Sequence, residues 1–304
     1  YSGADVGNTD HAISTETISV TGQYLNPQVY YDTNYALASR LQRLKDDQQY
    51  VVRHFVEDDL RSTVLFADGV YNKVMGFILV FPVGDIPAYT SKQVFATTVE
   101  NQIYALTNPN SVNLAPHHPQ VTTNFITSGT LLGIEIGNEE GGKAKWIADS
   151  TEPVDQGTKF AEWYLEAWSA IKENPSHPEW KNIEIISGGS FPSSHHFRSG
   201  CPGDESVFMH AFIQEVMEQG GTYGKYFKLP DVIATHDWGA NLAPLAVDWI
   251  YNPLTKKFDT IGAFGKCEDL LKGLYALCSA HGYFPNFAIT EYSYSATPRQ
   301  ATGT

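Results

Sequence analysis

Short apolar runs alternate with longer amphipathic stretches along most of the chain. The run at 73–81 (KVMGFILVF) is continuous and ends at Pro82, which is typical of a strand buried on both faces of a parallel sheet. The stretch at 157–173 instead carries its large apolar residues at helical spacing, which predicts a helix with one buried face. Those residues are Phe160, Trp163, Tyr164, Ala167 and Ile171.

The same two kinds of pattern predict an alternation of strands and helices through the whole chain. The predicted strands are 17–24, 50–55, 73–81, 131–137, 182–187, 231–235 and 287–290. The predicted helices are 34–45, 59–71, 91–106, 157–173, 204–219 and 266–281, with Gly282 as the C-cap of the last. This order favours an α/β fold with a parallel sheet and crossover helices, either a barrel or a doubly wound sheet.

The barrel is the better of these two predictions. The chain has no GxGxxG after its first strand and no P-loop, so nucleotide binding has no support. Polar residues follow the strands, where barrel enzymes place their active sites. We predict a (β/α)8 TIM-type barrel in a single domain over 1–304, with 1–15 as an N-terminal extension. The eighth strand is incomplete or comes from part of 1–24 or from sequence beyond Thr304.

The charge of the chain limits its partners. There are 34 Asp and Glu residues against 20 Lys and Arg, a formal net charge of −14. An acidic protein of this kind is a poor binder of nucleic acid or of an anionic membrane surface. The sequence contains no apolar run of about 18 residues, so we expect no membrane-spanning helix. It does not predict an oligomeric state.

The cysteines and the start of the chain are the features that relate to the cellular compartment of the protein. Cys267 and Cys278 lie in one predicted helix, about 16 Å apart along its axis, which is too far for a disulfide. Cys201 pairs with one of them, or all three are buried free thiols. We expect a secreted or extracellular protein whose signal peptide ended before Tyr1, although a chain boundary of another kind explains that start equally well.

Polar and charged residues stand where the predicted strands end. They are Arg53 and His54, Asn138 and Glu139, His236 to Trp238, and Glu291 with Tyr292. Two of them, Glu139 and Glu291, are carboxylates that follow non-adjacent strands and face each other across the mouth of a barrel. Paired carboxylates in a cleft with aromatic residues are the equipment of glycoside hydrolysis.

The segments around these two carboxylates resemble a known family. The sequence at 133–139 (GIEIGNE) is similar to the strand-four motif of the clan A retaining glycoside hydrolases, most of all the heparanase/β-glucuronidase-like and β-xylosidase-like families. The sequence at 288–292 (AITEY) resembles the strand-seven motif of that clan. Extended loops at 188–203 and 239–264 account for the long segment between the two motifs.

The resemblance implies a function and a role for each matching residue. Glu139 resembles the acid/base of the clan, and Glu291 resembles the nucleophile. Asn138 matches the residue that binds the 2-hydroxyl of the sugar, and Arg53 matches a cation that keeps the nucleophile ionised. His236 lies where the clan often places a polar or aromatic partner on strand six. The clan takes an aromatic platform from strand eight, which is not visible here, so we expect Trp238, which follows a strand end, to serve instead, and we expect Tyr292 to bind substrate as well. The reaction would be retaining hydrolysis of O-glycosidic bonds in a poly- or oligosaccharide, without a cofactor or a metal.

Other interpretations of the same residues stay open. A non-catalytic carbohydrate-binding or structural protein on a glycosidase-like barrel is the main alternative, because the eighth strand is not visible. A metal-dependent hydrolase using His236, Asp237 and the loop pairs His117-His118 and His195-His196 is weaker, since no ligand spacing supports it. Glu135 alternates with Ile134 and Ile136, which predicts a core carboxylate that is paired with a cation.

Overall fold

The computed structural model describes most of the chain. The described residues are 3–5, 27–46, 48–56, 59–84, 86–114, 119–138, 140–141, 143–150, 152–189, 204–219, 228–237, 247–252, 257–262, 266–280 and 282–292. At Glu291 and Tyr292 the description covers the backbone and its strand pairing.

Strands and helices alternate through the described residues, as the sequence predicts. The strands are β1 Gly3–Asp5, β2 Val51–Phe55, β3 Gly76–Phe81, β4 Leu131–Asn138, β5 Glu184–Gly189, β6 Val232–Asp237, β7 Val247–Asn252, β8 Lys257–Gly262 and β9 Asn286–Tyr292. The helices are α1 Pro27–Asp46, α2 Leu60–Asn72, α3 Lys92–Thr107, α4 Ala144–Ile147, α5 Pro153–Lys172, α6 Asp204–Gln219 and α7 Lys266–Ala280. Two 3-10 helices, Pro109–Ser111 and Pro178–Asn182, complete the elements of the described residues.

The helix predictions are confirmed, and their first residues show why. Asp59 and Ser91 are the N-caps of α2 and α3, and each side chain accepts a hydrogen bond from a backbone N–H of the first turn. Such caps satisfy amide groups that have no partner within the helix. The helix predicted at 204–219 has both of its ends where the sequence places them.

Two predicted strand starts are wrong by a few residues. Lys73 is the C-cap of α2, and Val74 has a φ of 57° in the turn that follows, so β3 begins only at Gly76. The predicted strand was too long because the residues of this turn are also apolar. Asn182 ends a 3-10 helix, so β5 begins at Glu184.

Two segments contain strands that are not among the predicted ones. β1 lies within the predicted N-terminal extension and pairs in parallel with β2, whereas the strand predicted at 17–24 falls outside the described residues. The segment 239–264, predicted as an extended loop, contains β7 and β8, which pair antiparallel. Their β-branched and aromatic residues (VDWIYN and KFDTIG) are the signal that was available for this hairpin.

The chain divides into two compact units. The first unit, Tyr1–Asn138 with Glu162–Gly188, carries its strands in the order β1-β2-β3-β4-β5. The ladders from β1 to β4 are parallel. β3 is buried along nearly its whole length, as its continuous apolar run predicts.

The second unit comprises Glu139–Ala161 with Gly189–Thr304. β6 and β9 form a parallel pair within it. Phe160 of α5 packs on Phe212 of α6 with ring centroids 4.9 Å apart, which fixes one helix against the other.

These ladders establish an α/β fold with parallel strands and helices between them, while the eight-stranded barrel and the single domain over 1–304 stay predictions. In the described residues, no helix combines the length and the apolar character that crossing a bilayer requires. Cys278 is a buried free thiol, which excludes it as the partner of Cys201.

Candidate functional site

β2 and β4 place opposite charges on one face of the first unit. The register aligns Arg53 with Ile78 of β3, and Ile78 with Gly133 of β4. Glu135 follows Gly133 by two residues, so strand alternation brings its side chain to the face that Arg53 occupies. The sequence pattern predicts the Glu135 side of this arrangement, because Glu135 is the polar position between Ile134 and Ile136. It does not identify Arg53 as the partner.

Arg53 and Glu135 form a buried, two-point ion pair. Arg53 Nε donates to Glu135 Oε2 at 2.7 Å, and Arg53 Nη2 donates to Glu135 Oε1 at 3.1 Å. The side chains are 3% and 0% exposed. Two charges are tolerated at this depth because each neutralises the other and the guanidinium fork matches the carboxylate. The prediction that Glu135 is a core carboxylate paired with a cation is confirmed.

The same guanidinium also holds Asn138, the last residue of β4. Arg53 Nη2 donates to Asn138 Oδ1 at 2.7 Å. Glu135 and Asn138 are three residues apart, and in a regular strand such residues point to opposite faces. Gly137 lies between them with a φ of 92°, which interrupts the alternation and lets both side chains reach one guanidinium.

Aromatic rings pack beside this network, which we call the Arg53 cluster (Arg53, Glu135 and Asn138). The Arg53 Cζ atom lies 4.9 Å from the ring centroid of Phe55, within cation–π range. His54 is buried and stacks on Phe66 of α2, with ring centroids 3.9 Å apart. These contacts limit the movement of the residues at the end of β2 and so hold the Arg53 guanidinium in one position.

In the second unit, β6 and β9 bring His236 and Glu291 to the same register position. Thr235 pairs with Ile289, whereas His236 pairs with Glu291 and Asp237 with Tyr292. The register therefore shifts by one residue just before Glu291, as a β-bulge or a similar irregularity does. Bulges occur next to active sites, where they change the direction of the residue that follows. His236 itself is fully buried.

Glu140 is a buried carboxylate for which the sequence predicts no role. It is 3% exposed, and Trp146 Nε1 donates to its Oε2 at 3.1 Å. Desolvation lowers the pKa of the neighbouring Lys145, and the negative charge of Glu140 acts in the opposite direction. The run Asn138-Glu139-Glu140 thus ends in a residue that is fixed by an indole. A tryptophan six residues after a glutamate is too weak a signal to predict this bond.

The predicted site residues are described to different extents. Arg53, Asn138 and His236 have described side chains, and Glu291 and Tyr292 are placed by their strand. Glu139, Trp238 and the pairs at 117–118 and 195–196 lie outside the described residues. The structure brings Arg53 to Asn138, while the role of Arg53 beside Glu291 stays a prediction. Within the described part of the chain, no group of three or more His, Cys, Asp or Glu is arranged to hold a metal ion.

Comparison with known proteins adds no assignment to these observations. No protein-family model matches the chain. No curated protein matches it either.

Proposed function

We propose that this protein is a retaining glycoside hydrolase that cleaves O-glycosidic bonds of a poly- or oligosaccharide, on a (β/α)8-type barrel. The observation that carries the proposal is the held amide of Asn138 at the carboxyl end of β4, one residue before Glu139. Barrel enzymes place catalytic residues at that end of their parallel strands. The resemblance of the 133–139 and 288–292 segments to the clan A motifs assigns the two carboxylates.

The Arg53 cluster supports this proposal through its energetics. Burying an arginine and a glutamate costs several kcal/mol of desolvation per ion, which can exceed the free energy that their pairing recovers. Apolar residues of similar volume often replace a buried ion pair with little change in stability. A charged network at a strand end therefore favours a function for the residue that it holds.

The proposed reaction proceeds in two displacements. In the first, the Glu291 carboxylate attacks the anomeric carbon while the Glu139 carboxyl gives its proton to the departing glycosidic oxygen. In the second, the Glu139 carboxylate takes a proton from water, the water oxygen bonds to the anomeric carbon, and the bond to Glu291 breaks. Both steps keep their proton balance without a cofactor, and the net outcome is retention.

The remaining predicted residues would bind the sugar. Asn138 precedes Glu139 in the chain and would hold a hydroxyl of the same ring. His236 is the penultimate residue of β6, Tyr292 ends β9, and Trp238 follows β6 in the sequence with an aromatic face that suits a sugar ring. Retention requires the carboxyl groups of Glu139 and Glu291 to be about 5–5.5 Å apart.

The test is a panel of aryl glycosides assayed with the wild-type protein, Glu139→Gln and Glu291→Gln. We expect each variant to fold and to lose hydrolysis by a factor of about 1,000 or more. Azide should restore turnover to Glu139→Gln on a substrate with an activated leaving group. Such a group departs without a proton, and azide then attacks the anomeric carbon without a general base, which breaks the bond to Glu291 and gives a glycosyl azide. Glu152→Gln, which alters an exposed carboxylate of the second unit, is the matched control and should keep full activity.

Other outcomes of this experiment would overturn the proposal. Full activity in Glu139→Gln or Glu291→Gln removes the two-carboxylate mechanism. Calorimetric sugar binding without turnover of any panel member supports the non-catalytic carbohydrate-binding protein instead. Activity that a chelator abolishes and a divalent metal restores supports the metal-dependent hydrolase.

A further inference from the structure

Asn138 has one amide with two chemically different ends, and the Arg53 cluster distinguishes between them. The guanidinium of Arg53 carries only donors, so the end of the amide that faces it is the Oδ1 acceptor. The Nδ2 group, which donates, is consequently turned away from Arg53. An amide rotated by a half turn would bring its NH2 group against the NH2 group of Arg53.

Glu135 determines where that guanidinium lies. Its two oxygens accept from Nε and Nη2 of Arg53, which fixes both the position and the plane of the fork. The same Nη2 group donates to Asn138. A carboxylate with no exposed surface thus controls a side chain at the end of β4 through one shared nitrogen.

We propose that Glu135 is a positioning residue that acts through Arg53 to fix the side-chain amide of Asn138, with Oδ1 held by the guanidinium and Nδ2 directed away from it. This inference rests on the proposed function, because it takes Asn138 to be a substrate-binding residue.

The first experiment is a double-mutant cycle between Glu135→Gln and Asn138→Ala, read as kcat and KM. The glutamine amide loses one of the two acceptors that orient the guanidinium, so we expect kcat/KM to fall about 10- to 100-fold. In the Asn138→Ala background the same change should have a smaller effect, because the residue that Glu135 positions is gone and only the predicted action of Arg53 on Glu291 is still disturbed. Glu184→Gln, a half-buried glutamate on β5, is the control and should leave both constants unchanged.

A second variant guards against a general loss of folding. Arg53→Met combined with Glu135→Leu replaces the pair by apolar side chains, an exchange that buried ion pairs tolerate. We expect a cooperatively folded protein in which the Asn138 side-chain amide signals move in 15N NMR spectra, with Asn138→Ala identifying those signals. Equal effects of Glu135→Gln in both backgrounds, or unchanged Asn138 amide signals in the double variant, would overturn the positioning role.

The two proposals fail in different ways. A wild-type protein that hydrolyses no glycoside contradicts the proposed function, and the amide signals of Asn138 still decide whether the cluster orients it. An active wild-type protein whose Glu135→Gln variant keeps full activity contradicts the positioning role alone.

Discussion

Arg53 Nε lies 2.7 Å from Glu135 Oε2, and the two residues belong to strands that β3 separates. The bond therefore crosses the face of the intervening strand inside the core of the first unit. Removing one partner takes from the other buried charge the group that neutralises it in this pair. Stability should depend on the pair as a unit rather than on either residue.

Arg53→Met alone should lower the free energy of unfolding by about 3–5 kcal/mol, since it leaves the Glu135 carboxylate buried. The Arg53→Met/Glu135→Leu double variant should recover most of this loss. Urea unfolding at neutral pH, followed by circular dichroism, measures both effects. A double variant that is as unstable as the single one would show that the two charges are not coupled.

Gly137→Ala should affect activity and not only stability. A side chain at a φ of 92° costs about 1–2 kcal/mol, and the backbone turn that brings Asn138 to Arg53 would relax. Gly129 is the matched control, because it has a φ of 74° and an added methyl group there meets no atom within 4 Å. Both variants should lose similar stability, and only Gly137→Ala should also lose kcat/KM. Equal activity in the two would contradict this account of β4.

Gly157→Ala should destabilise the second unit, although alanine favours helix. Its Cβ would lie 2.3 Å from the backbone oxygen of Phe208, so α5 and α6 would have to move apart. In α2, Gly69→Ala would approach only the ends of flexible leucine side chains, at 3.2 Å or more. Melting curves should show a loss of several degrees for Gly157→Ala and little change, or a gain, for Gly69→Ala. The reverse order would exclude close packing at Gly157.

Cys278 should make stability fall at high pH. Burial raises the pKa of its thiol from an ordinary value of 9.0 to about 11. The unfolded chain then loses this proton first, so the folded state loses stability as the pH rises from about 9 to 11. Urea unfolding of a Cys201→Ala/Cys267→Ala protein over this range should show the decline. Cys278→Ala in the same background should reduce it, and an equal decline with alanine would assign the effect elsewhere.

Local patterns predicted the elements of this fold well because burial leaves marks in the sequence. The continuous apolar run of β3 and the helical spacing of apolar residues in α5 are examples of such marks. The start of β3 failed because Val74 and Met75 are apolar in the turn that precedes it. Hydrophobicity does not report that Val74 has a positive φ.

The candidate site was predictable only in part. The alternation around Glu135 indicated a buried carboxylate in need of a cation, and the structure supplies Arg53 from a strand that is 82 residues away. No local pattern contains that pairing, because it follows from the register of β2, β3 and β4. The indole bond of Glu140 and the register shift before Glu291 depend in the same way on contacts that sequence spacing does not encode.

The most direct test of the central claim is to trap the covalent intermediate. A 2-deoxy-2-fluoro glycoside of the sugar that the aryl panel identifies should form the glycosyl-enzyme faster than water removes it. Mass spectrometry of the digested protein should then find one sugar on Glu291, and the natural substrate should give a product of retained anomeric configuration. A sugar on another residue, or a product of inverted configuration, would contradict the account.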